Sequence, residues 1–286
     1  MPEPSALVRM LDLGRVEFDN TVTTTAIQRL AENSRIRVLQ CSSPVTDHVW
    51  NSLNSHFFAS RPDVQLRVYG HYSTECDLTF ARRMTNVRRF AADSLIRARN
   101  VEAIAEIPAL ESLSLGVFEL DGFHVLDLIA PTLTELTLGA TKSRKLTIAA
   151  LERFHGLRTL YLEGQSKGIE VLGSLRQLED VTLRSITTPD LGFLTPLRNL
   201  WSLDIKLGGI RSFAGIEDAV NIKYLEVWQV RELKQVDFIT RLPGLQNLFL
   251  QSLPHLEELP RSRICMHCGV SFFRISKACA ILLRSS

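Results

Sequence analysis

The sequence predicts an α/β solenoid, with short strands stacked into one parallel concave sheet, helices on the convex side early in the chain and tighter turns later. Three observations predict it. A short apolar pattern returns at a near-constant step. The spacing of apolar residues between copies shifts from helical to every third position. The composition, 45% hydrophobic and 22% charged over 286 residues, is that of a chain able to fill a continuous core.

The repeated pattern has the form L-x-x-L-x-L. It is found at Leu110-Glu-Ser-Leu113-Ser-Leu115, Leu133-Thr-Glu-Leu136-Thr-Leu138 and Leu157-Arg-Thr-Leu160-Tyr-Leu162. It returns at Leu178–Leu183, Leu200–Ile205, Ile222–Val227 and Leu245–Leu250. Steps run from about 21 to about 24 residues, inside the range of leucine-rich repeats. No single copy can bury its own leucines, so each coil is stable only when stacked on its neighbours.

Fainter copies lie upstream at Val87–Ala92, Leu66–Val68, Ile36–Leu39 and Val8-Arg-Met-Leu11-Asp-Leu13, the earliest spaced about 27 or 28 residues apart. The added length reads as helix. Thr25–Leu30 and Asp47–Phe57 set apolar residues three to four apart, with Thr or Asp as N-caps. Later connections differ. Val230, Leu233, Val236, Ile239 and Leu242 recur every third residue, as do Leu253, Leu256 and Leu259 after Leu250. That period suits 3₁₀ or extended turns.

These repeats resemble leucine-rich-repeat proteins. The front resembles ribonuclease-inhibitor-type units with a helix each. Residues from about Val87 to Leu259 resemble the shorter repeats of internalins and of phosphatase-regulating leucine-rich proteins. The resemblance implies a non-catalytic protein-binding module, with enzyme regulator or inhibitor as one such role. The chain departs from those families at the position three residues past the last strand leucine, where they place Asn. Here stand Phe118, Thr141, Gln165, Ile186, Gly208, Val230 and Leu253, so apolar packing is expected to hold that corner.

The pattern stops after Leu259-Pro260, although another strand is due near position 268. Read one base out of register, the Met266/His267 junction must encode Ala and His267/Cys268 must encode Leu. The junctions that follow permit the missing motif. A frame change near Arg261–Arg263 is therefore expected, which divides the chain into a solenoid over 1–260 and an aberrant tail over 261–286. A genuine but unusual tail is the alternative. The loss of a polar end cap is expected to leave the last strand edge open. Cys265-Met-His-Cys268 is half of a zinc motif with no second pair at a suitable spacing, so no metal is expected.

Alternation within each strand sends the motif leucines inward and the residues between them to the concave face. One row is Ser112, Glu135, Thr159, Asp180, Ser202, Tyr224, Asn247. The central row is Ser114, Thr137, Tyr161, Thr182, Asp204, Glu226, Phe249. The third is Gly116, Gly139, Glu163, Arg184, Lys206, Trp228, Gln251. Aromatic residues beside charge are the composition of an interface hot spot. Tyr161, Asp180, Asp204, Tyr224, Glu226, Trp228 and Phe249 are therefore the candidate protein-binding residues. Asp204 and Glu226 lie side by side, and a basic patch on the partner is expected to relieve them. The earlier half of the face, with Ser112, Ser114, Gly116, Thr137 and Gly139, reads as bland.

Catalysis finds little support. There is no phosphate loop, no nucleophile elbow, no H-E-x-x-H and no dinucleotide turn. His155 and His255 fall in turns. No cofactor is expected. The formal net charge of +2 gives no global pull toward nucleic acid or membrane. Five cysteines, an odd count with Cys41 and Cys76 alone and the other three in the last segment, form no disulfide framework, and with an acidic, proline-bearing start they read as a cytoplasmic chain. The alternatives to a stand-alone module are the recognition arm of a larger effector or ligase cut short by the frame change, and a degraded gene product.

Overall fold

The structure, a computed structural model, describes residues 12, 14–70, 75–219 and 221–257, together with the backbone of 9–10, 270–271 and 280–283. Two compact units divide the chain, Met1–Ser143 and Arg144–Ser286.

The N-terminal unit stacks six parallel strands: β1 Arg15–Glu17, β2 Val38–Cys41, β3 Gln65–Tyr69, β4 Arg89–Leu95, β5 Ser112–Val117 and β6 Glu135–Leu138. The register places Val16, Leu39, Leu66, Phe90, Leu113 and Leu136 side by side, and all six are buried. Each such side chain stabilises the stack by ~1.5–3 kcal/mol relative to exposure. The strand expected over Val8–Leu13 is displaced. Val8, Leu11 and Leu13 lie outside the described residues, and the backbone of Arg9–Met10 pairs antiparallel with β1. The bend at Asp12, whose Oδ1 accepts from Gly14 N at 3.0 Å, accompanies that reversal.

The early connections are helical, as their spacing predicts. α1 spans Thr24–Ala31, with the Thr23 hydroxyl accepting from Ala26 N, and buries Ile27. α2 spans Asp47–Leu53 and buries Val49, Trp50 and Leu53; it runs on into a π turn, Asn54–Phe58, that buries Phe57 and Phe58. Trp50 stacks on Phe80, with ring centroids 4.0 Å apart. After β3 the connections tighten to 3₁₀ turns at Thr79–Arg83 and Val101–Glu106. The last is a single helical turn, α3, at Val125–Leu128.

The C-terminal unit stacks β7 Thr159–Glu163, β8 Asp180–Arg184, β9 Ser202–Lys206, β10 Tyr224–Trp228 and β11 Asn247–Gln251, all parallel. Leu160, Val181, Leu203, Leu225 and Leu248 form one register line and are buried. Its connections are all 3₁₀, from Ala149–Arg153 to Asp237–Arg241. The period-three residues Val230, Leu233, Val236, Ile239 and Leu242 are buried as one stripe. Leu259 and, in the tail, Cys265, His267, Cys268 and Cys279 lie outside the described residues. The expected open edge is not observed, because the backbone of Ala280–Leu283 pairs antiparallel with β11.

The corner after each strand is held in part by the expected apolar packing and in part by backbone. Ile186, Val230 and Leu253 are buried there, as are Thr141 and Gln165, while Phe118 is exposed. The shared element is backbone. The residue just past the strand is left-handed at Gly164, Ser185, Leu207, Gln229 and Ser252. Its N–H donates to the last strand carbonyl of the next coil: Gly164 to Arg184, Ser185 to Lys206, Leu207 to Trp228 and Gln229 to Gln251, at 2.7–3.0 Å. In the N-terminal unit the left-handed Gly70 donates instead to the carbonyl of Ser94, itself left-handed and inside β4, at 3.2 Å. A main-chain ladder thus satisfies polar groups that Asn side chains cap in the resembled families.

Candidate concave binding site

Neighbouring strands lie about 4.8 Å apart, so the register decides which side chains meet. In the C-terminal unit the rows fall as the alternation predicts. Asp180, Ser202, Tyr224 and Asn247 share one row; Thr182, Asp204, Glu226 and Phe249 the next; and Arg184, Lys206, Trp228 and Gln251 the third.

Tyr224, Glu226, Asp204 and Lys206 form one connected cluster. The Tyr224 hydroxyl donates to Glu226 Oε2 at 3.0 Å. Lys206 Nζ stands 3.1 Å from Glu226 Oε2 and 3.6 Å from Asp204 Oδ2. The cation expected from a partner is therefore supplied in part by the chain itself. Lys206 follows Asp204 by two residues on β9 and is diagonal to Glu226 on β10, close enough to bridge them. It does not balance the cluster. Burial lifts the Asp204 carboxyl to about 6, against the pull of Lys206 and with a push from Glu226 and Asp180. Burial also raises Asp180, while a hydrogen bond from Ser202 and the charge of Lys206 hold it down. Tyr224 is raised, by burial first and then by its bond to Glu226.

Two buried polar atoms of this face, Asp204 Oδ1 and the indole Nε1 of Trp228, find no hydrogen-bond partner among the described residues. Phe249 lies beside Glu226 in register, and Trp228 beside Lys206. Tyr161 stands apart. It is two strands from Asp204 in the central row, and its hydroxyl donates to Glu163 Oε2 at 3.2 Å. Glu163 in turn receives Arg184 Nε at 3.0 Å. Burial raises the Tyr161 hydroxyl to about 12.

Sequence reasoning passed over one aromatic. Trp201, just before β9, is 44% exposed, and its carbonyl accepts from Lys223 N and Tyr224 N. The candidates Tyr224, Trp228 and Phe249 are only half-buried by comparison. The signal was its place in Leu200-Trp-Ser-Leu203, at a motif position that faces neither the core nor a concave row.

The face of the N-terminal unit, expected to be bland, carries a charged network upstream of its small residues. Arg67 clasps Asp93 through Nε and Nη2 and donates to Gln40 Oε1 at 3.1 Å. Gln40 donates to Glu17, which also receives Ser42 and Tyr69. The Arg67 guanidinium lies 4.4 Å over the Tyr69 ring. Arg89 reaches across the buried Ser112 to Glu135, holding that carboxyl below its usual range. These residues belong to the faint early copies, where alternation gives no guide unless the strand starts are known.

Among the described residues no three His, Cys, Asp or Glu side chains gather to hold a metal, and no helix is long and apolar enough to cross a membrane.

No protein-family model matches the chain, and no curated protein sequence does. Solved structures do. An internalin, InlF from Listeria monocytogenes, is 15% identical over 83% of this chain and 73% of that one, with a TM-score of 0.51. A chain of the TLR13–ssRNA13 complex is 14% identical over 88% of this chain and 41% of its own, with a TM-score of 0.57. A chain of the mouse RP105/MD-1 complex is 13% identical over 86% and 49%, with a TM-score of 0.51. At such identities the likeness is one of fold, and together with the stacked L-x-x-L-x-L strands it shows a leucine-rich-repeat fold.

Proposed function

We propose that the chain is a non-catalytic protein-binding module whose contact face is the concave sheet of its C-terminal unit. Asp180, Asp204, Tyr224, Glu226 and Trp228 form its centre, with Phe249 beside them and Tyr161 at its margin. One observation carries the reading. Asp204 Oδ1 and Trp228 Nε1 are buried yet have no hydrogen-bond partner among the described residues, next to a half-buried tyrosine and phenylalanine. Leaving a buried polar atom unsatisfied costs about 1–3 kcal/mol, which a docked partner's polar groups recover. With Asp180, Asp204 and Glu226 around a single Lys206, that partner presents a basic side chain.

The neighbouring structures include one named with single-stranded RNA and one named with MD-1. The carboxylates of this face repel phosphate, and that favours a protein partner here. An open sheet excludes little water, which counts against catalysis at the Asp204–Glu226 pair. Enzyme regulation or inhibition from a cytoplasmic location is the finer role we assign. The tail over 261–286 is read as the product of a frame change; genomic sequence across Arg261 showing no intact repeat in the other frame discards that part.

The experiment is affinity capture with the wild-type chain and with Tyr224→Ala/Trp228→Ala. Truncations at a hot spot cost ~2 kcal/mol or more each, so the double variant loses its captured protein while its circular dichroism stays unchanged. Equal capture by both chains removes the concave face from the interface.

A further inference from the structure

We infer that an arginine-lined trough on the N-terminal unit docks an extended acidic segment of a partner protein, separately from the concave face of the other unit. The trough crosses the starts of β2 to β5 and has a volume of about 680 Å³, within the roughly 300–1,000 Å³ usual for binding clefts. Arg37, Arg88 and Arg89 line it, with Gln65 in its floor and Asp63 and Glu111 set among them.

The cations are held in place before any partner arrives. Arg61, adjoining the trough, grips Asp63 through two bonds of 2.9 Å and donates to the carbonyls of Asn33 and Ile36. Arg37 bonds the carbonyls of Ser34 and Ile36 through one nitrogen, Nη1. Neither it nor the exposed Arg35 two residues before it forms a salt bridge among the described residues, although the charge of Arg37 helps hold the Asp63 carboxyl down. Arg88 gives Nη1 to Glu111 at 2.9 Å. A guanidinium carries five N–H donors, so each retains donors pointed at solvent in a fixed arrangement. Immobilised arginines pay less ordering entropy on binding than free surface ones.

Arg88 and Arg89 are paired with Glu111 and Glu135, so the surplus positive charge rests on Arg37 with Arg35 beside it, and that surplus selects an anionic occupant. The trough contains no aromatic ring on which a base could stack, whereas single-stranded nucleic acid binding relies on such platforms. Asp63 and Glu111 interrupt the positive line, which opposes a continuous run of phosphates. A peptide places carboxylates on alternate residues and its apolar side chains against Val38 and Pro62.

The test uses the full chain and a labelled synthetic peptide alternating Glu and Val, followed by fluorescence polarisation. The Gln-Val peptide and a single-stranded oligothymidylate are the competitors. The acidic peptide is expected to bind and to weaken as salt rises from low to physiological ionic strength. Arg37→Gln/Arg88→Gln is expected to weaken it about tenfold or more, and the Gln-Val peptide to be inert. Arg35→Gln/Arg37→Gln, which breaks no ion pair, repeats the test should the first variant melt early. No binding, binding by both variants as tight as by the wild-type chain, or tighter binding of the oligonucleotide overturns the proposal.

Discussion

The concave faces of the two units share a backbone plan and finish their charges in opposite ways. In the N-terminal unit, Arg67 ends on Asp93 and Gln40, Gln40 on Glu17, and Glu17 on Tyr69 and Ser42. In the C-terminal unit one lysine stands between two acids with a third nearby, and two buried polar atoms lack partners among the described residues. A closed polar network rigidifies a surface and has little left to offer a partner; an open one gains from an outside group. Two stretches of the same repeat can therefore differ in role through side chains alone.

The largest effect within the folded chain is expected at Arg67. Its side chain and that of Asp93 are each about four-fifths buried, with relative exposures of 20% and 22%. Arg67→Ala strands Asp93 and Gln40 and removes the cation over Tyr69. Breaking such a pair leaves a charge without its partner, and a loss of ~2–3 kcal/mol follows. Denaturant unfolding of the variant measures it. A loss below ~0.5 kcal/mol means the network is a solvated surface, and the contrast between the two faces fails.

A smaller effect of opposite sign is expected at Asp204. Its folded carboxyl titrates near 6, above the usual 3.8, so the folded chain binds the proton more tightly than the unfolded chain does. Stability from this group is fully present below about pH 4 and is lost as pH rises through 6. At pH 7 the ionised group opposes folding. Asp204→Asn is expected to stabilise by ~1 kcal/mol there, after discounting for solvent screening, and by nothing near pH 3.5. A variant less stable than wild type at pH 7 would show that Lys206 fully compensates the acids and that the face is closed after all.

Much of this was legible in the sequence, and for an identifiable reason. The motif leucines repeat with so little variation that the lines Leu113–Leu136 and Leu203–Leu225–Leu248 follow from counting. Once the count is fixed, alternation places Asp204 beside Glu226 and Tyr224 two residues before it. What was not legible depended on lengths that vary. The first coil was set on Leu11 and Leu13, while the stacked strand holds Val16, and the Glu17–Gln40–Arg67 row disappeared with that shift. Lys206 was placed in the correct row, but its reach to both acids is a matter of rotamer, which spacing does not specify. The corner ladder was missed because left-handed Ser185, Leu207 and Gln229 share no residue type.

That left-handed corner offers the finest test, because both units use it and so it should not follow the contrast between their faces. Gln229 and Ser94 are exposed and adopt φ values of 54°. A residue with a Cβ pays roughly 1–2 kcal/mol in this region, and glycine does not. Glycine also frees the unfolded chain, which returns about half of the gain. Gln229→Gly is expected to stabilise by ~0.5 kcal/mol, read as a small rise in melting temperature, and Ser94→Gly by less, because it also loses the Ser94 hydroxyl's bond to Asp93 at 3.1 Å. A gain at both positions identifies the left-handed corner as common scaffold on which the faces diverged. If Gln229→Gly alone destabilises, its side chain carries a bond beyond the backbone link to Gln251, and the C-terminal face extends past the end of β10.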